Sequence, residues 1–104
     1  MTWRLSFHPE VWDDADDAAR HYGEVDPRLA GAFVSELGTA FRFIRQYPKG
    51  APVFHAPYRR VALRRFPYLV CYRVMDDGGD VRVLMVVSAR RDPQTIRSML
   101  AQRT

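Results

Sequence analysis

The chain has little of what usually anchors a catalytic or metal site. Its 104 residues include one cysteine, Cys71, which excludes an internal disulfide. Cys71 falls in an apolar strand-like run, where core packing is the expected role. There is one lysine, Lys49, and no Cys/His cluster with metal-site spacing among Cys71, His8, His21 and His55. From Tyr58 onward there is no histidine, lysine or glutamate, and after Tyr72 no aromatic residue. No Gly-rich phosphate loop, Ser/His/Asp spacing or zinc signature is present, so neither metal nor cofactor is expected. No apolar run approaches the roughly 20 residues of a membrane helix. Met1-Thr2-Trp3-Arg4 lacks a signal-peptide pattern, so a cytoplasmic protein with no membrane partner is expected.

What is present is a folded composition, 47% hydrophobic and 27% charged, with a net charge of +4. The length suits a single domain over 1–104. The charge is split: residues 1–57 carry a net −2 and residues 58–104 a net +6. A basic carboxyl half predicts a surface for a polyanion or an acidic partner.

Thr2 to Phe7 alternates Trp3, Leu5 and Phe7 with polar residues, the pattern of a half-buried strand. Pro9 to Tyr22 carries an apolar stripe of Val11, Trp12, Ala15, Ala18, Ala19 and Tyr22. Asp13, Asp14, Asp16 and Asp17 flank it and read as a solvated face near a positive helix end. Gly23 is expected to close this helix, and Asp26-Pro27 to open a second running to about Tyr47. The second stripe is Ala30, Phe33, Val34, Leu37, Ala40, Phe41 and Ile44. A linker of about four residues predicts an antiparallel helix hairpin. Lys49 to Pro57 reads as a connection punctuated by Pro and Gly; His55 within it has no visible catalytic partner.

Three strands follow, Tyr58 to Phe66, Tyr68 to Met75 and Val81 to Ser88. Phe66-Pro67 breaks the first from the second, and Asp76 to Asp80 supplies a hairpin loop. Alternation in the first predicts Val61 and Leu63 in the core, with Arg60 and Arg64 together on the other face, about 13 Å apart. Asp92-Pro93 caps a short terminal helix burying Ile96, Met99 and Leu100. The predicted fold is α+β, β-α-α-β-β-β, with an antiparallel helix hairpin packed on a mostly antiparallel sheet and a short C-terminal helix.

The segments RRxxLRRFPYLVxYRV, from Arg59 to Val74, and VLMVVSARRDP, from Val83 to Pro93, carry a resemblance. In this order and spacing the chain resembles the RelE/ParE superfamily of toxins from bacterial type II toxin–antitoxin systems. The resemblance implies a toxin neutralised by a cognate antitoxin with an acidic, amphipathic C-terminal segment, the two forming a hetero-oligomer. It also implies one of two targets: DNA gyrase for ParE-like members, or mRNA on the ribosome for the endoribonucleases of the RelE-like branch. A third alternative is a non-toxic member that binds its antitoxin and assists operon repression.

Metal-free RNA cleavage needs a base for the 2′-OH, an acid for the leaving oxygen and cations for the phosphate. The arginines could supply cations, but many relatives carry a histidine where this chain has Ser88, and RelE-like nucleases use lysines and a late tyrosine that it lacks. Tyr68 and Tyr72 remain, and an unperturbed tyrosine pKa of about 10 suits neither to act as a base near neutrality. The gyrase reading is therefore preferred, with no catalytic residue assigned. Arg59, Arg60, Arg64, Arg65, Arg73, Arg90 and Arg91 are the candidate basic face for target or antitoxin. If the protein were instead a metal-independent nuclease, Tyr72 would join Arg59, Arg60, Arg64, Arg65, Arg73 and Arg90 as its candidate site.

Overall fold

The computed structural model describes residues 3–75 and 77–104. The elements are β1 (Arg4–Phe7), α1 (Glu10–Val25), α2 (Pro27–Gln46), β2 (Val53–His55), β3 (Tyr58–Ala62), β4 (Tyr68–Met75), β5 (Asp80–Ser88) and α3 (Pro93–Arg103). They build an α+β fold around one five-stranded sheet of order β1-β5-β4-β3-β2. β1 lies parallel to β5, and the other pairings are antiparallel.

The helix hairpin forms as the stripes require. Asp26 caps α2 by accepting from the Arg28 N–H at 2.9 Å, and Pro27 occupies the first turn, where no N–H is needed. Trp12 meets Phe41 at 6.4 Å between ring centroids, and Tyr22 meets Phe33 at 5.7 Å, so the helices run antiparallel. Gly23 does not close α1, which continues to Val25 and leaves Asp26 as the whole linker. The glycine is there for packing: a Cβ at Gly23 would sit 3.2 Å from the Ala30 Cβ on α2. Val34, predicted for the core stripe, is exposed, and Trp12 is half exposed over Phe7 and Phe41.

The sheet is covered on both faces. The hairpin buries Val11, Phe33, Leu37 and Ile44 against Phe66, Val70, Tyr72, Val81 and Val83. α3 buries Ile96 and Leu100, with Met99 partly covered, against Leu69, Cys71, Leu84, Met85 and Val87 on the opposite face. Each large side chain fully buried contributes about 1.5–3 kcal/mol. A bulge makes the two faces compatible. Cys71 pairs with Met85 while Tyr72 pairs with Val83, so Leu84 is the extra residue of β5. Leu84 and Met85 then both serve the α3 face, between Val83 and Val86 on the hairpin face.

The strand predictions need three corrections. The connection before Tyr58 contains a short strand, β2, and the turn from β2 to β3 includes a cis Ala56–Pro57 peptide. β3 ends at Ala62 rather than Phe66, because Leu63 turns inward and its N–H donates to the Tyr68 carbonyl at 2.9 Å. In the β4–β5 loop Gly79 has φ +69°, the conformation glycine was expected to supply, and β5 starts at Asp80. Thr2 and Asp76 lie outside the described residues.

Candidate functional site

The sheet's pleat sorts the arginines. On β3, Arg59 points to the hairpin side, toward the loop before β2. Its guanidinium donates to the Ala51 carbonyl at 2.6 Å and the Lys49 carbonyl at 3.4 Å, so it braces that loop. Arg60, one residue on, pairs with Cys71 in register and therefore shares the α3 face. Its guanidinium carbon lies 4.8 Å from the centre of the Phe54 ring, a cation–π contact.

Arg64 and Arg65 lie past the end of β3 and face α2. The Arg65 backbone N–H donates to Glu36 Oε1 at 2.7 Å and its Nε to Oε2 at 3.1 Å. Burial works against the Glu36 carboxylate, but these bonds and a backbone bond from Arg64 outweigh it and hold its pKa below the ordinary value. Arg64 lines a largely apolar groove between α2 and β3, with Glu36, Thr39, Phe43, Val61 and Leu63 and a volume of about 240 Å³. The expected Arg60–Arg64 pair on one face is thus not formed. Strand alternation stops at Ala62, and the two guanidiniums end on different surfaces.

Arg73 sits on β4 between Tyr58 and Arg82 in register, on the α3 side of the sheet. Arg90 and Arg91 occupy the turn from β5 into α3. The Arg90 N–H donates to Ser88 Oγ at 3.2 Å and the Arg91 N–H to the Ser88 carbonyl at 3.2 Å. Arg91 lines a cleft of about 230 Å³ with Phe54, Arg60, Leu69, Pro93, Ile96 and Arg97. Of the seven predicted arginines, the structure brings Arg60 and Arg91 together and adds Arg97. It diverts Arg59 and Arg65 to structural bonds and leaves Arg64 on the hairpin side.

The tyrosines are poorly placed for proton transfer. Tyr72 is fully buried, its hydroxyl donating to the Pro48 carbonyl at 2.7 Å. Burial pushes its pKa up, against the opposing charge of Arg59. Tyr68 is pushed up as well, first by burial and then by Tyr22. Tyr58 shares a hydrogen bond with Thr104 Oγ1 at 2.7 Å. The Cys71 thiol is buried and pushed up to about 12 by desolvation. Among the described residues, no group of three or more His, Cys, Asp or Glu side chains is placed to hold a metal ion.

One cluster was missed in the sequence. Asp14 is not part of a solvated acidic face: its carboxylate accepts from Arg103 Nη2 at 3.0 Å and from the Val86 N–H at 3.1 Å. Arg103 also donates to the Leu84 carbonyl at 2.9 Å and lies 3.4 Å from Glu10. The Asp14 hydrogen bond holds the Arg103 pKa above its ordinary value. β1 pairs with β5 only as far as Val83. Beyond that point this ion pair, 10% and 16% exposed at Arg103 and Asp14, satisfies backbone groups of β5 that a further strand would otherwise take. No sequence signal connects positions 89 residues apart, although Asp14 falls beside Ala15 and Ala18 on the buried stripe.

Comparison with known proteins agrees with this architecture. Residues 5–93 match the family described as "ParE toxin of type II toxin-antitoxin system, parDE". Toxin ParE2 of Mycobacterium tuberculosis is 34% identical over 109 aligned positions, spanning 100% of this chain and 98% of that protein. A chain from the chromosomal ParDE toxin–antitoxin system of P. aeruginosa superposes with a TM-score of 0.73 at 21% identity, over 84% of this chain and 96% of that one. A mutant of E. coli toxin RelE in the free state superposes at 0.67 and 17% identity, over 99% and 98%. The two superpositions establish the shared fold, and the matched profile and the 34% identical relative establish the lineage: the chain belongs to the ParE toxin family of type II toxin–antitoxin systems.

Proposed function

We propose that this ParE-family toxin acts as a single-domain cytoplasmic protein on DNA gyrase rather than by cutting mRNA on the ribosome. The observation that carries the choice is the state of Tyr72. It is buried, its hydroxyl is committed to the Pro48 carbonyl, and desolvation raises its pKa. A residue in that state neither reaches a 2′-OH nor takes its proton near neutral pH. Arg59 and Arg65, two of the cations a nuclease site would use, are engaged in bracing contacts. Loss of a placed acid or base sacrifices about 10²–10⁴-fold in rate per group. Purified protein is expected to block supercoiling by gyrase and to leave mRNA intact on programmed ribosomes. Codon-positioned cuts with unimpaired supercoiling would overturn the reading.

We further propose neutralisation by an antitoxin whose acidic, amphipathic segment lies along the groove between α2 and β3. The groove is largely apolar and Arg64 rims it, while the outer edge of β3 at Val61 and Ala62 extends beyond the paired residues of β2. That arrangement supports an apolar anchor with a flanking carboxylate or an added strand. Arg64→Glu should weaken the complex and flatten its salt dependence, read by titration calorimetry at two ionic strengths. Unchanged affinity and salt dependence would place the segment elsewhere.

A further inference from the structure

The cleft between β3, the β5–α3 turn and α3 has a composition that the target and antitoxin readings leave unused. Its rim carries three guanidiniums from three separate elements, Arg60 on β3, Arg91 in the turn and Arg97 on α3. Its floor is Leu69, Ala89 and Ile96, and Phe54 forms one wall. Among the described residues, no acidic side chain lines it. Five arginines outside the cleft have a carboxylate partner: Arg4 with Asp80, Arg20 with Asp17, Arg28 with Asp26, Arg65 with Glu36, Arg103 with Asp14. Among the described residues none of the three rim arginines has an ion-pair partner. Asp92, the nearest acid in sequence, is turned away to cap α3, accepting from the Thr95 N–H at 3.4 Å.

Three like charges around one concavity repel one another, and among the described residues no ion pair offsets that cost. An anion drawn into the cleft would. The number of donors selects the anion. A carboxylate carries one charge and two oxygens, which one guanidinium fork satisfies. A phosphate group in a nucleic-acid backbone presents oxygens on several sides and sits among repeated charges, which suits three forks approaching from three directions. Phe54 lies beneath Arg60, so the ring holds that guanidinium in place instead of stacking a base. We infer that the Arg60–Arg91–Arg97 cleft is a binding site for a backbone phosphate of nucleic acid. It reads charge and not sequence, because the contacts go to phosphate. This site stands whether or not gyrase is the target, since it needs cations and no acid or base.

The test is binding by the full chain to a short duplex DNA, measured by fluorescence anisotropy across a salt series. Inorganic pyrophosphate and a glutamate-rich peptide serve as competitors. Arg91→Ala and Arg97→Ala should each lower DNA affinity by about tenfold. Each should also reduce the slope of log K against log salt by about one. Arg45→Ala, an exposed arginine on α2, should change neither. Pyrophosphate should compete and the peptide should not. The altered residues are exposed, and an unchanged melting temperature verifies folding. Equal losses at Arg45 and Arg97 would reduce the effect to overall charge and overturn the site. So would a peptide that competes as well as pyrophosphate, or DNA binding insensitive to Arg91 and Arg97. None of those results bears on the supercoiling assay, which stands or falls separately.

Discussion

The two faces of the sheet are built on different terms. The hairpin face is deep and aromatic: Tyr22, Phe33, Phe66 and Tyr68 form a cluster with ring centroids 4.7–6.0 Å apart, closed over by two long helices. The α3 face is thin. One helix of 11 residues covers it, anchored by Ile96 and Leu100, tied at its end by Arg103 and Thr104, and flanked by unpaired arginines. Large apolar area and edge-to-face contacts stabilise the first face, and a smaller apolar cluster with a few polar ties holds the second. The hairpin face should therefore set global stability, and the α3 face should open locally at lower cost.

The largest expected effect lies on the hairpin face. Phe33→Ala removes a ring in contact with Tyr22, Phe66 and Tyr68 and should cost about 3–5 kcal/mol in urea unfolding. A loss below about 1 kcal/mol would mean that the cluster is not the core.

On the other face, Leu100→Ala should cost about 2–3 kcal/mol, less than a deep-core leucine, because undocking of α3 limits the loss. The comparison can be made directly with Cys71, which lies beneath α3. In Leu100→Ala its thiol should react with a labelling reagent much faster, before any change in Trp12 fluorescence. Labelling that only tracks global unfolding would show the two faces to be one cooperative unit.

Arg103→Ala leaves the Asp14 carboxylate largely covered without its cation and the Leu84 carbonyl without this donor, and should cost about 2–3 kcal/mol by thermal unfolding. Hydrogen exchange should rise at Val86 in particular. Exchange confined to α3 would mean that the pair ties down the helix without protecting β5.

Glu36→Gln is the smallest, about 1 kcal/mol at neutral pH. Its folded pKa lies below the ordinary value of 4.5. Its contribution is complete above that value and fades as pH falls through the folded one. The stability difference between wild type and Glu36→Gln should therefore shrink in acid; a difference constant with pH would contradict the assignment.

The hairpin face was the more legible in sequence. Phe33, Leu37, Ile44 and Val11 recur at helical spacing, and that periodicity alone placed them. Gly23 misled because glycine both ends helices and lets them pack closely, and only the neighbour Ala30 decides which. β2 was hidden because a strand of three residues, set between Pro52 and Pro57, gives too little alternation to read. The site was harder to read than the fold. Counting arginines predicted a basic surface, but the early end of β3 sent Arg60 and Arg64 apart. Arg97 joined the cleft through helix phase, which charge counting does not register. Asp14 and Arg103 depend wholly on tertiary structure, since α1 and α3 meet only where β5 outruns β1.

The parallel pairing of β1 with β5 has a consequence for the order of folding. Arg4 aligns with Asp80 and Phe7 with Val83, so the first strand has no partner until most of the chain exists. During synthesis the helix hairpin can form early from local contacts, but its apolar stripe has no sheet to lie on. Closure of a loop this long is slow compared with helix formation. An interval therefore follows in which Phe33, Leu37 and Phe41 face water, and a nascent chain in that state is prone to aggregation.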